Sequence, residues 1–455
     1  GLPNTLGGSK LYSSLQQQQQ HTTSNEEDDA FARRIRKEGA IFIGKTNAPE
    51  FGLGSHTFND MFGYTANPYD TSKSAGGSSG GAAVALASNM LCLADGSDMM
   101  GSLRNPAGWN GIYSIRPTAG LISEDNDDDD DDGGPNLGLS GCDDGDDVND
   151  SEEQEGNLLE LPYPISTPGP MARTPLDVAA FLQTMAGYDS DDGGRRNKRF
   201  DASTVSSKPN VAGTKIGWLA DWSGAYPMEE GILNLCESTL KDVFENKDAL
   251  NCSVEKVLDV PFHAKDLWYS WTTIRSRCIL DNFCQTFGDK VSGSILSSSE
   301  EDDGTNTLIK PEALWELRRG TRITDNELQN ALHIAQNWSN SANEKLFSKY
   351  DICALPTSQV WPFNIQERWP KVINKCQMET YHQWMEVVVP VTLAGLPCVT
   401  IPAGFDKERG LCMGLQLFGP RGSDSKLLSI AQAYHRVANW SSNTPTDIIS
   451  IGAMN

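Results

Sequence analysis

Hydrophobic and polar positions along the chain follow two periods, and their alternation predicts helices and strands in turn. After a capping box at residues 24–27, Ala30, Phe31 and Ile35 recur at helical spacing and form an apolar stripe. Gly39 closes that helix, and the apolar run at residues 40–43 predicts a strand. This succession returns along the chain and indicates an α/β fold with a mixed sheet. Further predicted elements are helices at 82–87, 176–185 and 231–244 and strands at 91–94, 215–218 and 254–260.

Two glycine-rich turns that carry serines flank the helix predicted at residues 82–87. Residues 76–81 read Gly-Gly-Ser-Ser-Gly-Gly and contain Ser78, and the second turn leads from Asp98 to Ser102. Glycine allows positive φ and a close approach of main-chain N–H donors to a substrate on which negative charge develops. A flexible linker or a phosphate-binding loop is the alternative for the first turn, although a linker would not run directly into a helix-forming apolar segment. The turns therefore indicate covalent acyl-transfer chemistry.

The two turns and their surroundings resemble the amidase signature family of serine hydrolases. The resemblance runs from residue 44 to residue 118 with little interruption, and returns at residues 169–174, 392–397, 401–404 and 414–420. It is weak between about Asp189 and Asp351. It implies the amidase-signature fold, an α/β architecture with a mixed central β-sheet covered by helices on both faces, in a single amidase domain over residues 1–455. It also implies hydrolysis of a small-molecule carboxamide to a carboxylate and ammonia or an amine, without a cofactor.

The resemblance implies a Ser-cisSer-Lys triad. Ser102 is the expected nucleophile and forms the acyl-enzyme, while Ser78 is the expected bridge that passes its proton to a neutral lysine. The peptide bond between Gly77 and Ser78 is expected to be cis. In the family the lysine lies in an apolar strand upstream of the segment that residues 1–5 resemble. We therefore expect the sequence to be a fragment or an incomplete gene model, and as written nearly inactive, because Lys10, Lys45 and Lys73 lack the family context.

Main-chain groups of the second turn are expected to form the oxyanion hole. The resemblance places these N–H donors at Met99, Met100, Gly101 and Ser102. Many members of the family have glycine where this chain has Met100, which predicts a smaller or differently shaped acyl site. Further residues are expected to support the site, Asp98 by accepting N–H bonds and Arg104 by bracing the loop, with a purely structural role as the alternative for both. The supporting set is Gly77, Ser79, Asp98 and Arg104.

Composition limits the remaining functional classes. The net charge of −24 comes mostly from residues 124–160, which contain six consecutive aspartates and predict a disordered insertion, with calcium or a basic partner as its alternative ligand. A second low-complexity insertion is expected at about residues 13–25. The acidic surface disfavours nucleic acid, and no apolar run is long enough for a membrane span. Ten cysteines and six histidines lack metal-site spacing, so reduced thiols are favoured, as is a cytoplasmic location, although the localisation is open.

The region from residue 261 to residue 349 varies within the family and is expected to shape the acyl pocket. Its large aromatic residues Trp268, Trp271, Phe283 and Phe287 either line a hydrophobic channel or belong to the core. Two further functions stay open beside the amidase: an amidotransferase component that supplies ammonia, and an inactive amidase-like binding or scaffold protein. A homodimer stays open as well, because the sequence does not give the oligomeric state.

Overall fold

The computed structural model of this protein describes residues 6–18, 29–122, 161–187, 200–296 and 308–438. The expected capping box at 24–27 and the acidic insertion at 124–160 lie outside the described residues. Of the low-complexity segment expected at 13–25, residues 13–18 form the end of a helix, and the rest lies outside the described residues.

The strands have bounds that agree in part with the sequence prediction. Strand prediction succeeds at 215–218 and at the start of 254–260, where the structure has β6 and β7. The strands are β1 Phe58–Asn59, β2 Gly63–Tyr64, β3 Leu93–Asp98, β4 Tyr113–Arg116, β5 Thr167–Ala172, β6 Lys215–Trp218, β7 Ser253–Lys256, β8 Ile352–Pro356, β9 Val372–Ile373, β10 Cys376–Gln377, β11 Cys398–Phe405 and β12 Cys412–Phe418.

The helices predicted from apolar periodicity are all present. They correspond to α2, α3, α5 and α6, and α6 continues into a wider turn over Leu240–Phe244. The helices are α1 Lys10–Gln18, α2 Ala30–Lys37, α3 Gly80–Ala87, α4 Arg104–Trp109, α5 Pro175–Ala186, α6 Ile232–Thr239, α7 Ala264–Leu296, α8 Pro311–Gly320, α9 Asp325–Ser341, α10 Val389–Leu393 and α11 Asp424–Ala438.

Eight of these strands form one sheet in the order β3-β5-β4-β11-β12-β8-β6-β7. The pairs from β3 to β8 are antiparallel, and β8, β6 and β7 run parallel to one another. Helices flank this sheet, with α4, α6 and α11 packed against β11. The predicted α/β fold with a mixed central sheet is therefore confirmed.

The core follows from the apolar residues of the inner strands. Ile115, Ile216, Leu355, Val399 and Leu417 come from five different strands and are fully buried in the largest apolar cluster. Burying one such side chain contributes about 2 kcal/mol to folding, so the sheet centre is a rigid platform. Two smaller clusters fix the elements around the serine turns: α3 packs on α4 and β5 through Leu86, Ala107 and Met171, and α7 packs on α8 and α1 through Phe283, Leu317 and Leu11.

The apolar run at residues 40–43 does not form a strand, so this prediction is wrong. Ile41 and Ile43 are 86% and 73% exposed, and Phe42 packs against the guanidinium of Arg36. An apolar run becomes a strand only where another strand supplies hydrogen-bond partners, and no described strand pairs with this one. The strand predicted at 91–94 begins two residues later, at Leu93. It is an edge strand, on which Leu93 is 41% exposed.

Candidate active site

Ser78 and Ser102 are brought together by the two turns that flank α3 and β3. Ser78 precedes Ser79, the N-cap residue of α3, and the peptide bond between Gly77 and Ser78 is cis, as the family resemblance implies. Ser102 follows four residues after the end of β3. The main-chain N–H of Ser79 donates to the carbonyl oxygen of Ser102 at 3.2 Å. One hydrogen bond thus joins the two turns directly beside both serines.

Two glycines permit this close approach. A Cβ atom on Gly96 would lie 2.4 Å from Ser79 Oγ, so any side chain there would push the two turns apart. Gly101 has a φ of +74°, and a Cβ there would meet Met385 Cε at 2.9 Å. Because L-residues rarely adopt this φ, glycine is required next to Ser102 by both its conformation and its packing. The glycine pattern in the sequence therefore reports on close contacts in the folded protein.

Asp98 fixes the path of the backbone around Ser102. Its buried carboxylate accepts the N–H of Gly101 at 2.8 Å on Oδ1 and the N–H of Leu103 at 3.2 Å on Oδ2. Arg104 donates to both oxygens, from Nε at 3.0 Å and from Nη2 at 2.9 Å. The donors on either side of Ser102 are therefore tied to one carboxylate, which accepts the turn's N–H bonds as the sequence predicts.

The charge of this carboxylate is balanced by two arginines. Burial alone would raise the pKa of Asp98, but the charge and hydrogen bonds of Arg104, with the charge of Arg116, lower it to about 2. Arg116 Nη1 lies 3.7 Å from Oδ1. The other donors of Arg104 reach the carbonyl oxygen of Val388 and side chains on β12 and α10. Arg104 therefore braces the turn against three other elements and does not line the cavity.

The main-chain N–H groups expected to bind an oxyanion differ in their partners. Gly101 donates its N–H to Asp98 and so differs from the other three. For Met99, Met100 and Ser102, the described residues provide no acceptor for the main-chain N–H, and all three residues line the cavity described next. In this structure the N–H groups of Met99, Met100 and Ser102 are therefore the ones without a protein acceptor among the described residues, and the oxyanion hole stays a prediction.

A cavity of about 360 Å³ lies where the two turns meet α7 and α8. Ser78 and Ser102 both line it and are only 7% and 8% exposed. The described residues show no hydrogen bond between the two hydroxyl groups. A volume of this size is typical of a site for a small organic molecule. Three further serines share the cavity wall: Ser55, Ser97 and Ser166.

The four aromatic residues considered for a channel divide into two pairs. Phe283 and Phe287 line the cavity, where their rings pack 4.5 Å apart between centroids. Trp271 is fully buried and stacks on Trp268, and neither ring reaches the cavity wall. The channel interpretation therefore holds for the phenylalanines, and the core interpretation holds for the tryptophans.

Polar residues that sequence reasoning missed also line the cavity. Arg275 on α7 and His382 are buried, with exposed fractions of 4% and 2%. A signal for Arg275 existed in the sequence: it occupies a stripe with Trp271, Ile279 and Phe283 at spacings of four on one helix, where a charged residue needs a reason. His382 has no comparable signal, because its place in the site depends on elements far from it in sequence.

The lysines do not reach the serines in the described part of the chain. None of them lines the cavity, and Lys10 instead pairs with Asp60 at 2.6 Å on the surface. Lys310 lies behind the wall, where its Nζ donates to the carbonyl oxygen of Leu53. Burial lowers the pKa of Lys310 to about 8, against the opposing charges of Glu312 and Glu50.

Comparison with known proteins identifies the family. The family model described as Amidase matches residues 13–134 and 151–428, which is most of the chain. The chain belongs to the amidase family. The amidase signature family inferred from the serine turns is thereby confirmed, and with it the class of enzyme, a hydrolase of carbon–nitrogen amide bonds.

Relatives of this amidase include components of a larger enzyme. Over 420 residues it is 28% identical to a subunit of the glutamyl-tRNA(Gln) amidotransferase of Legionella pneumophila (strain Corby), and the match covers 90% of this chain and 76% of that protein. It is also 28% identical over 412 residues to the corresponding protein of Alkaliphilus metalliredigens, covering 88% and 74%.

Solved structures agree on the fold. A bacterial aryl acylamidase of the amidase signature family superimposes with a TM-score of 0.74 at 22% identity, over 98% of this chain and 81% of that chain. A subunit of the glutamyl-tRNA(Gln) amidotransferase from Thermotoga maritima gives a TM-score of 0.63 at 25% identity, over 90% and 77%.

Three negative findings apply to the part of the amidase that the structure describes. None of its helices there is both long and apolar enough to cross a membrane. The nine cysteines in this part are free thiols. No group of three or more His, Cys, Asp or Glu side chains among these residues is arranged to hold a metal ion.

Proposed function

We propose that this amidase hydrolyses a carboxamide through an acyl-enzyme on Ser102. The observation that carries the proposal is that Ser78 and Ser102, from two separate turns, line one cavity of substrate size. In this mechanism Ser102 Oγ attacks the carbonyl carbon while its proton passes to Ser78 Oγ. A hydroxyl group can accept one proton as it donates another, so Ser78 is suited to relay protons.

The onward path of the proton completes the cycle. The family resemblance implies a neutral lysine that receives the proton from Ser78 and later returns it through Ser78 to the leaving nitrogen. The carbon–nitrogen bond then breaks and releases ammonia or an amine, and water hydrolyses the ester on Ser102 to the carboxylate. Because the described residues place no lysine at the cavity, we assign no residue of this chain to that role.

Main-chain donors of the turn are proposed to stabilise the tetrahedral oxyanion. The N–H groups of Met99, Met100 and Ser102 are the candidates, whereas that of Gly101 donates to Asp98. Removing one such donor from a serine hydrolase typically lowers kcat about 10²–10³-fold. Asp98 and Arg104 are positioning residues in this proposal, since neither side chain lines the cavity.

Ammonia supply within an amidotransferase is the second candidate function. The observation that favours it is the 28% identity to a component of glutamyl-tRNA(Gln) amidotransferase over 90% of this chain. In that role the ammonia released at Ser102 would pass to a partner protein. Homodimerisation and the single-domain organisation stay predictions.

A fluorophosphonate probe tests the nucleophile in the protein as its gene encodes it. We expect the probe to label the wild type, and Ser102→Ala to abolish labelling and to lower amide hydrolysis roughly 10⁴-fold or more. Ser166→Ala is the matched control, because Ser166 lines the same cavity and is expected to keep its labelling. Equal labelling of wild type and Ser102→Ala would contradict the assigned nucleophile. An unlabelled wild type would contradict the hydrolase and favour a binding protein.

A further inference from the structure

A second polar group occupies the cavity wall, apart from the serine turns. It consists of Arg275 on α7, Glu316 on α8, and Tyr381 and His382, and we call these four residues the polar wall. All four are buried, and Arg275 and His382 line the same cavity as Ser78 and Ser102. The proposed mechanism uses none of them.

Arg275 has N–H donors at the cavity that no strong protein acceptor uses. Its Nε donates to Glu316 Oε1 at 2.8 Å, and its Nη2 donates to the hydroxyl oxygen of Tyr381 at 2.9 Å. The third nitrogen, Nη1, has only the thioether sulfur of Met99 at 3.1 Å. A thioether is a weak acceptor, so the two N–H groups of Nη1 are poorly satisfied by the protein. Met99 belongs to the second serine turn, from Asp98 to Ser102, which we call the nucleophile turn. Only the Met99 side chain therefore separates this guanidinium from that turn.

His382 provides an independent observation at the same wall. Both its ring nitrogens are buried without a hydrogen-bond partner among the described residues. Glu316 Oε1 lies 3.8 Å from Nε2, which is too far for a hydrogen bond. Aromatic rings enclose the imidazole, and burial lowers its pKa to about 3, so the ring is neutral and offers one donor and one acceptor. A buried imidazole without a hydrogen-bond partner needs an explanation, and a polar ligand group that reaches this wall would supply one.

The polar wall carries no surplus charge. Glu316 neutralises Arg275, and its carboxylate also accepts hydrogen bonds from Tyr381 at 2.7 Å and Ser276 at 2.5 Å. A carboxylate on the ligand would therefore enter a buried site without an uncompensated cation to pair with it. The neighbouring wall is mostly apolar and includes Phe51, Ile279, Phe283, Phe287 and Leu317, with Asn282 and Thr286 as polar members.

We infer that the polar wall recognises an uncharged hydrogen-bond acceptor, such as a ketone, ester or amide oxygen, on an otherwise hydrophobic part of the substrate. This inference rests on the proposed function, since it describes the substrate of the Ser102 site. It names the substrate class as a hydrophobic amide with a second, neutral oxygen acceptor. It also disfavours free glutamine as the substrate, because the α-carboxylate and α-ammonium groups of glutamine would find no matching charge on this wall.

Arylboronic acids with three different substituents of nearly equal shape test the inference without a known substrate. Boronic acids add a serine oxygen to boron, so their binding is measured as protection of Ser102 from the fluorophosphonate probe. The compounds are phenylboronic acids with an acetyl, isopropyl or carboxylate substituent, each in the meta and the para position. We compare the compounds within the series, meta or para, that protects at lower concentrations. There we expect the acetyl compound to protect at about tenfold lower concentration than the other two, because one hydrogen bond to a charged donor has about this effect.

Variants of the wall then locate the effect. His382→Phe keeps the ring and removes both nitrogens, and the double variant Arg275→Met with Glu316→Gln removes the guanidinium without leaving a buried charge. Each is expected to reduce the ratio between the acetyl and isopropyl compounds towards one, whereas His333→Phe, at an exposed position of α9, keeps it. Loss of probe labelling in the wild type would refute the proposed function. If the wild type is labelled normally, three results would overturn the inference and leave the proposed function intact. The three compounds of a series could protect equally or not at all, or the carboxylate compound could protect best. The third result is that neither wall variant changes the ratio between the acetyl and isopropyl compounds.

Discussion

The ion pair beneath the nucleophile turn and the ion pair in the cavity wall are both buried, but their arginines use their donors differently. Arg104 places all five donors on protein acceptors, two of them on Asp98. Arg275 pairs with Glu316 and Tyr381 and leaves Nη1 beside a thioether at the cavity. A saturated arginine can only hold structure, whereas an unsaturated one can also bind a ligand. The number of unused hydrogen-bond donors on the arginine, rather than the presence of an ion pair, distinguishes an ion pair that supports the fold from one that can also recognise a ligand.

The largest expected effect comes from breaking the saturated pair. In Asp98→Asn, Arg104 and Arg116 lose their buried counter-charge, and the N–H groups of Gly101 and Leu103 lose a strong acceptor. Removing one partner of a buried ion pair costs about 3–5 kcal/mol, so we expect that loss in the free energy of urea unfolding. Probe labelling of Ser102 should fall as well. Asp177→Asn, at an exposed position in the first turn of α5, is the control. A loss below about 1 kcal/mol would show that Asp98 does not fix the turn.

The second largest effect is expected in the segment Gln383–Val388. This segment runs from the polar wall to the carbonyl oxygen that Arg104 contacts. Its Glu386 is buried, and burial raises the pKa of this carboxyl to about 8. Between the ordinary carboxyl pKa and this value, the folded protein holds a proton that the unfolded chain has lost, so stability falls as the pH rises. Glu386→Gln keeps the group neutral and removes this dependence. From pH 5 to pH 7.5 we expect the variant to gain about 3 kcal/mol relative to wild type.

Urea unfolding at both pH values measures this gain. Glu344→Gln, at an exposed position, should show the same pH dependence as wild type. A difference between Glu386→Gln and wild type that stays constant over this range would mean that Glu386 is ionised in the folded protein.

The contrast between the nucleophile turn and the polar wall also explains which parts of the site the sequence could predict. The serine turns, the glycines between them and Asp98 at the end of β3 lie within about thirty residues, so local pattern and family resemblance were sufficient to expect them side by side. Their catalytic roles stay predictions. The polar wall combines Arg275, Glu316 and His382, which come from separate elements and meet only in the folded chain. The apolar run at 40–43 failed for a related reason, because strand formation depends on a pairing partner that local sequence does not contain.

The last prediction changes the unsaturated pair and measures binding preference. Glu316→Gln removes the counter-charge of Arg275 and keeps a side chain that can still hydrogen-bond to Tyr381 and Ser276. Arg275 borders the cavity, so water or a ligand can partner it, and we expect a smaller loss of stability than in Asp98→Asn. The uncompensated guanidinium should now favour the carboxylate-substituted boronic acid, with about tenfold better protection of Ser102 than in wild type. Glu327→Gln, exposed on α9, should leave the order of the three compounds unchanged. If the carboxylate compound protects no better in Glu316→Gln than in wild type, the charge of Arg275 does not act on the ligand, and the two ion pairs are then both structural.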